Sequence, residues 1–202
     1  MEKLYIMGCG GHARSIADTY LQRYPDAELT FVDQNARPGE RVLGFNLLPE
    51  VDDTELQENP VFIGIGDNAS RAASFEQFHK QNLVTIISAS AYISPSAHIS
   101  RGCFVGNFCH IGPEAFVDEN TILNTGSVIE HGVRIGRHSH LAPNVSVSGN
   151  TTIGNHVFVG VGASIIDKLS ICDHVIIGAG SCVIKDITVP GTYAGTPVKK
   201  IK

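Results

Sequence analysis

The sequence predicts two successive folds: a small α/β unit of Rossmann-like type over residues 1–88, then a left-handed parallel β-helix of hexapeptide repeats with a C-terminal tail over residues 89–202. Three observations carry this. Every sixth residue from Ile93 to Val189 is Ile, Leu or Val, without an exception or an insertion. Four positions beyond each aliphatic the side chain is usually small or β-branched, as at Cys103, Cys109, Ala115, Thr121, Ser127, Val133 and Ser139. Ahead of the repeat, short apolar runs alternate with helical patterns.

The period of six matches neither the 3.6 of an amphipathic helix nor the 2.0 of a simple strand, and it is the spacing of a hexapeptide β-helix. Chance would produce so long a run on the order of once in 10^10. Three hexads make one triangular coil, so residue i should lie beneath residue i+18 at about 4.8 Å. The chain can therefore be read as columns of stacked side chains.

In the N-terminal unit, Lys3–Met7 reads as a strand that runs into Gly8-Cys9-Gly10-Gly11-His12-Ala13 and then a helix to about Arg23. Gly8, Gly10 and Ala13 have the spacing G-x-G-x-x-A, in which glycines permit a tight turn and bring backbone N–H groups to a phosphate at a helix N-terminus. Glycines that serve only the strand-to-helix turn would give the same pattern. A second strand, Glu28–Asp33, ends in a carboxylate where dinucleotide folds hold a ribose, although a strand-end turn explains Asp33 equally well. Pro60–Gly66 reads as a third strand leading to a helix capped by Asp67, and Val84–Ile87 as a fourth strand. These elements are too few for both halves of a dinucleotide domain, but suffice for one nucleotide.

Composition removes several function classes. A net charge of −5 carries no footprint for nucleic acid. No run of about 18 apolar residues could span a membrane and no signal peptide is recognisable, so the expectation is a cytoplasmic protein. Five cysteines, an odd number without a C-x-x-C pair, argue against a disulfide framework.

Gly8-x-Gly-Gly-His-Ala13, Ile63-Gly-Ile-Gly-Asp-Asn68 with Arg71, Asn124-Thr-Gly-Ser-Val-Ile-Glu-His131, His140, Ser148-Gly-Asn150 and Gly195-Thr-Pro-Val-Lys199 together resemble one family. It is the bacterial nucleotide-sugar acetyltransferases, typified by the UDP-4-amino-sugar N-acetyltransferase of bacillosamine synthesis, with the sialic acid O-acetyltransferase-like proteins as close relatives. The resemblance spans essentially the whole chain. It implies a homotrimer, acetyl-CoA in the groove between neighbouring coils, no metal, and direct acetyl transfer to the amine of a UDP- or dTDP-4-amino-4,6-dideoxy type sugar. It further implies that His131 is the general base, that His140 contacts the acetyl group, and that Asn124 places the acceptor. For the nucleotide sugar it points to Gly8, Gly10, Gly11, His12, Asp33, Asp67, Asn68 and Arg71. The family usually has Glu or Asp directly after the base, where this chain has Gly132.

The columns give these roles a physical reading. Loss of a proton from an attacking amine needs a base that titrates near neutrality, which suits histidine. His131 lies beneath Gly149, so no side chain of the next coil should cover its imidazole, and the Gly149 N–H is positioned as a donor to a developing oxyanion. Glu114, one coil beneath Gly132, is the expected substitute for the absent acidic neighbour, against Glu130 or a water as rivals. The glycines at 160, 162, 178 and 180 thin the wall where the pantetheine arm of CoA would run, with Gly160, Val161 and Ala179 as contacts, although tight turns explain them as well. Lys199 falls where the family places CoA phosphates, or belongs to a solvated tail. His138, His156 and His174 should stack in an outward ladder; ring spacing near 4.8 Å suits tetrahedral zinc poorly, which weakens a γ-class carbonic anhydrase reading. Phe104, Phe108, Phe116 and Phe158 are expected to make subunit contacts. Sugar O-acetylation and a non-catalytic, nucleotide-sensing scaffold remain as rival functions.

Overall fold

The computed structural model describes residues 3–202, which divide into two compact units at Ala89/Ser90. In the first, β1 (Lys3–Met7), α1 (Gly11–Arg23) and β2 (Glu28–Val32) stand where the sequence puts them. They are followed by β3 (Arg41–Val42), β4 (Phe45–Leu48), α2 (Asp53–Glu58), β5 (Val61–Ile63) and α3 (Asn68–Gln77). The sheet order is β3-β4-β2-β1-β5, parallel except for the β3–β4 hairpin. That hairpin and α2 were not anticipated. Its turn is Leu43-Gly44, both at positive φ, and leucine is a poor signal for such a turn. The third strand is shorter than the apolar run, and of Val84–Ile87 only Ile86–Ile87 is strand. Tyr5, Met7, Val32, Leu56, Ile63 and Phe75 form one core beneath the sheet.

Close packing of α1 on this sheet depends on Gly64: a Cβ there would stand 2.7 Å from Ile6 Cγ2 and 2.9 Å from Ala13 Cβ. Gly8, at φ +103°, makes the sharp exit from β1. Asp67 caps α3 by accepting from the Ser70 N–H at 2.8 Å.

The second unit is the expected left-handed parallel β-helix. Two-residue strands repeat every six residues, and each pairs with the strand eighteen residues on, as His110–Ile111 does with Val128–Ile129. Three sheets result, which we call the first (carrying Val128–Ile129), the second (Arg134–Ile135) and the third (His140–Leu141). The periodic aliphatics from Val105 to Val183 fill the interior at 2% exposure or less. The small corner residues are equally buried, and their polar atoms are satisfied by one repeated bond to a carbonyl fifteen residues on: Cys103 to Asp118, Cys109 to Asn124, Thr121 to Gly136, Ser139 to Gly154 and Thr151 to Ile166. These corner side chains thus enter the core with their hydrogen bonds met.

A second period, not anticipated, accompanies the first. From Gly102 to Gly180 every sixth residue has positive φ, and these positions hold Gly, Asn or His except at Phe108, Glu114 and Lys168. Left-handed backbone favours glycine, and among other residues Asn and His are enriched there. The corners therefore select their own residue types. The hexad pattern also overruns the fold: Val189 fits the period but is 52% exposed, and Ile187 enters the core instead by bridging to Ile171. Beyond it the chain closes with an antiparallel hairpin, Gly191–Gly195 with Val198–Lys200. No helix among the described residues is long and apolar enough to cross a membrane.

Candidate active site

His131 occupies the corner between the first and second sheets, the first of two turn residues after Glu130. Beneath it the backbone is tight, since a Cβ on Gly112 would stand 2.8 Å from the His131 nitrogen. Above it the imidazole fills the space that a side chain at 149 would take: a Cβ there would lie 2.5 Å from both Cε1 and Nε2. The ring is exposed on its outer side. The Gly149 N–H has no hydrogen-bond acceptor among the described residues, whereas its carbonyl accepts from Lys168 N at 3.0 Å. A base and an unused backbone donor are thus side by side on one corner.

Gly132 sits at φ +65°, one of the periodic left-handed corners. Glycine relieves strain that an acidic side chain would add there. Glu114 lies one coil below at φ +58°, with its N–H bonded to Ser96 Oγ at 3.2 Å. Its carboxylate makes no hydrogen bond to His131, and the imidazole has no acceptor among the described residues.

Asn124 and His140 are on a different edge. Asn124 ends the third-sheet strand Ile122–Leu123, and its Nδ2 approaches His140 Nε2 at 3.4 Å, while the His140 ring meets Phe158 edge-on at 5.2 Å. Val161 and Ala179 stack on this same corner, between the third and first sheets, and their N–H groups have no acceptor among the described residues. The glycines around them need no ligand to explain them. A Cβ on Gly160 would stand 2.5 Å from Ala179 N, and Gly162 and Gly180 have φ of +66° and +64°. Lys199 is exposed on the closing hairpin.

The expected outward histidine ladder is corrected in part. His138, His156 and His174 do stack, with centroids 4.9 Å apart, but His138 is 3% exposed and its Nδ1 meets Asn120 Nδ2 at 2.8 Å. All four residues are left-handed corners, so the backbone conformation accounts for their regularity. Beside them Glu119 bridges Arg101 and Arg137, and Asp173 accepts from Asn155. Burial raises the Glu119 carboxyl pKa, but the two arginines outweigh it and hold it below its usual value. Phe104 is likewise corrected: at 2% exposure it is core, not a subunit contact, whereas Phe108 is 72% exposed and Phe116 and Phe158 are half-buried.

In the first unit, the carboxyl ends of β1, β2 and β5 open on a cavity of about 490 Å³ lined by Gly8, Asp33, Asn35, Glu50, Ile65 and Gln77 among others. Of the residues expected to hold a nucleotide, Gly8 and Asp33 line it; Gly10, Gly11, His12, Asp67, Asn68 and Arg71 do not. Gly10 and Gly11 face open space at the start of α1. Asp33 Oδ1 accepts from Asn35 N at 3.0 Å, the main reason its carboxyl pKa is lowered, and Cys9 Sγ lies 3.4 Å from Oδ2. Burial first, then Asp33, pushes the Cys9 thiol pKa up. Arg71 is 1% exposed and donates to Gly66 O at 2.9 Å and Asn68 Oδ1 at 2.8 Å. It holds the loop after β5 rather than presenting a charge to a ligand. Glu50 and Gln77 were missed because they come from elements that carry no glycine-motif signal.

A model of the PglD N-terminal domain family matches residues 3–78. The acetyltransferase domain of PglB from Neisseria gonorrhoeae is 28% identical, with a TM-score of 0.89 and all of both chains covered. The same domain in complex with acetyl coenzyme A is 27% identical with a TM-score of 0.90, covering 99% of each chain. GDP-perosamine N-acetyltransferase from Caulobacter crescentus, solved as a histidine-to-alanine mutant with CoA and GDP-perosamine, is 29% identical; the TM-score is 0.87, with 100% of this chain and 98% of that chain covered.

Proposed function

We propose that the chain, similar over its whole length to bacterial nucleotide-sugar acetyltransferases built on a hexapeptide-repeat β-helix, moves an acetyl group from acetyl-CoA to the amine of a nucleotide-linked amino sugar, with His131 as general base. The observation that carries this is the His131 imidazole seated against Gly149, beside an N–H with no partner. The neutral amine attacks the thioester carbonyl, the Gly149 N–H donates to the oxyanion, His131 takes the ammonium proton, and CoA leaves as its thiolate or thiol. Among the described residues no group of side chains is arranged to hold a metal ion, and this chemistry needs none.

We further propose that the site forms only between copies of the chain. His131 ends one side of the triangular coil, whereas Asn124 ends the other and pairs with His140, so about six residues of strand separate them, roughly 15–20 Å. Acetyl-CoA would lie along the Asn124, Val161 and Ala179 edge of one copy and meet the His131 edge of its neighbour. A homotrimer closes such heterologous contacts into a ring. The nucleotide would occupy the cavity beside Asp33, and the 4-amino-4,6-dideoxy sugars of UDP or dTDP are the first substrates to try.

The test incubates the purified protein with acetyl-CoA and a panel of UDP-, dTDP- and GDP-linked amino sugars and follows thiol release. Turnover with a subset of the panel is expected. No release above the hydrolysis blank with any of them would sink the proposal.

A further inference from the structure

The second sheet of the β-helix carries an outer column that none of the roles above uses. His98, Phe116, Arg134 and Thr152 stack in register, one per coil. The His98 and Phe116 rings are stacked with centroids 5.0 Å apart and 12° between planes, and the Arg134 guanidinium lies over the Phe116 ring at 4.8 Å. Such a stack fixes a long, otherwise mobile side chain. Arg134 is exposed, and Thr152 above it is short.

Arg134 also differs from the other arginines of the coil. Arg101 and Arg137 both pair with Glu119, whereas Arg134 has no carboxylate partner among the described residues. A guanidinium that is oriented by an aromatic ring but left unpaired presents its planar donor fork to whatever anion arrives. It also stands three residues after His131 on the same turn of the coil, within about 10 Å of it.

We infer that Arg134 binds the diphosphate of the nucleotide-sugar acceptor and so sets the position of the sugar amine at His131. This rests on the acetyltransferase reading above. Both substrates of that reading carry a pyrophosphate, but they differ in reach. In the nucleotide sugar only the width of one hexose ring separates the diphosphate from the reacting amine. In acetyl-CoA the whole pantetheine arm lies between pyrophosphate and thioester, which carries its phosphates well past a residue so near the base. Phe116 then acts as a positioning residue that holds the guanidinium in one orientation.

The experiment measures calorimetric affinities of wild type, Arg134→Ala, Arg134→Lys and Phe116→Leu for four probes: UDP, dTDP, GDP and CoA. The probe set does not require the sugar to be known. For whichever nucleoside diphosphate binds wild type, Arg134→Ala should weaken binding about tenfold with CoA affinity unchanged. Arg134→Lys should recover only part of the loss, because an ammonium lacks the planar fork, and Phe116→Leu should weaken the same probe by a smaller factor. Weaker CoA binding with the nucleotide unchanged would overturn the assignment, as would less than a twofold change in every probe. A changed oligomeric state of Arg134→Ala in light scattering would also overturn it and make the arginine an interface residue. If wild type binds none of the four probes, the acetyltransferase reading itself fails. If wild type binds them and the variants bind equally well, only the role of Arg134 fails.

Discussion

Two corners of the same coil carry histidines and use them in opposite ways. At the corner between the second and third sheets, His138 has a side chain above and below it in its column, Asn120 and His156, and is buried. Ion pairs through Glu119 flank that column. At the corner between the first and second sheets, His131 has Gly149 above it and keeps an exposed imidazole beside a free N–H. Repetition gives both corners the same backbone, but the histidines take different places in it: His138 holds the left-handed position, whereas His131 precedes the left-handed Gly132, and each then meets a different neighbour in its column. Filling the column makes a strut. Leaving one position as glycine makes room for the imidazole itself.

The largest effect should come from closing that room. His131→Ala is expected to lower kcat roughly 10²–10⁴-fold with acetyl-CoA affinity near wild type, as for a lost general base. Gly149→Ala should approach the same loss, because its methyl would stand 2.5 Å from the His131 Cε1 and Nε2 that now occupy the space. Steady-state kinetics check both, and a change under threefold in either would remove the contrast between the corners. At the filled corner His138→Ala should cost about 2–3 kcal/mol of stability, through a buried void and a broken bond to Asn120, while kcat per folded molecule changes little. Denaturant titration measures the first quantity. Stability equal to wild type would mean that the ladder is decoration.

A smaller effect concerns what orients His131. Glu114→Gln is expected to lower kcat by a few-fold and more than Glu130→Gln does, since Glu114 lies one coil below Gly132, which adds no side chain of its own between it and His131. Equal effects from the two would remove Glu114 from the mechanism. The smallest effect is on acid stability. The Glu119 and Asp173 carboxyls both have lowered pKa values, Glu119 through its arginines despite burial and Asp173 chiefly through the Asn155 N–H. A lowered folded-state value contributes stability that is present above the unfolded pKa, about 4, and is lost as pH falls through the folded one. Glu119→Gln should therefore flatten the decline in melting temperature below about pH 4. Parallel acid curves for wild type and Glu119→Gln would contradict this.

The β-helix was legible because its interior obeys one rule per hexad, and a rule repeated from Val105 to Val183 outweighs any local ambiguity. The contact of His131 with Gly149 could be read the same way, from a difference of eighteen. The left-handed corners were as regular but were overlooked, since Gly, Asn and His share no polarity and are alike only in tolerating positive φ. That omission made the ladder of His138 look like a surface feature. In the N-terminal unit no period exists to average over errors. The Leu43-Gly44 turn lacks the usual asparagine, and Arg71, charged and in a familiar motif, proved to be a buried brace for its own loop. The cavity wall at Glu50 and Gln77 is assembled from separate elements that only the fold brings together.

The bond from each polar corner residue to the carbonyl fifteen positions later has a consequence for how such a chain can change length. Adding or removing a single residue inside the repeat would leave these relations intact within the coils before it and within those after it, but would break them for every pair that spans it, so that donors in the preceding fifteen residues would face the wrong carbonyl unless the change were absorbed in a corner loop. A whole coil of eighteen residues restores all of these relations at once. The β-helix should accordingly grow or shrink in complete coils, and tolerate shorter changes only past Val183, where the core pairing has already slipped from eighteen residues to the sixteen between Ile171 and Ile187.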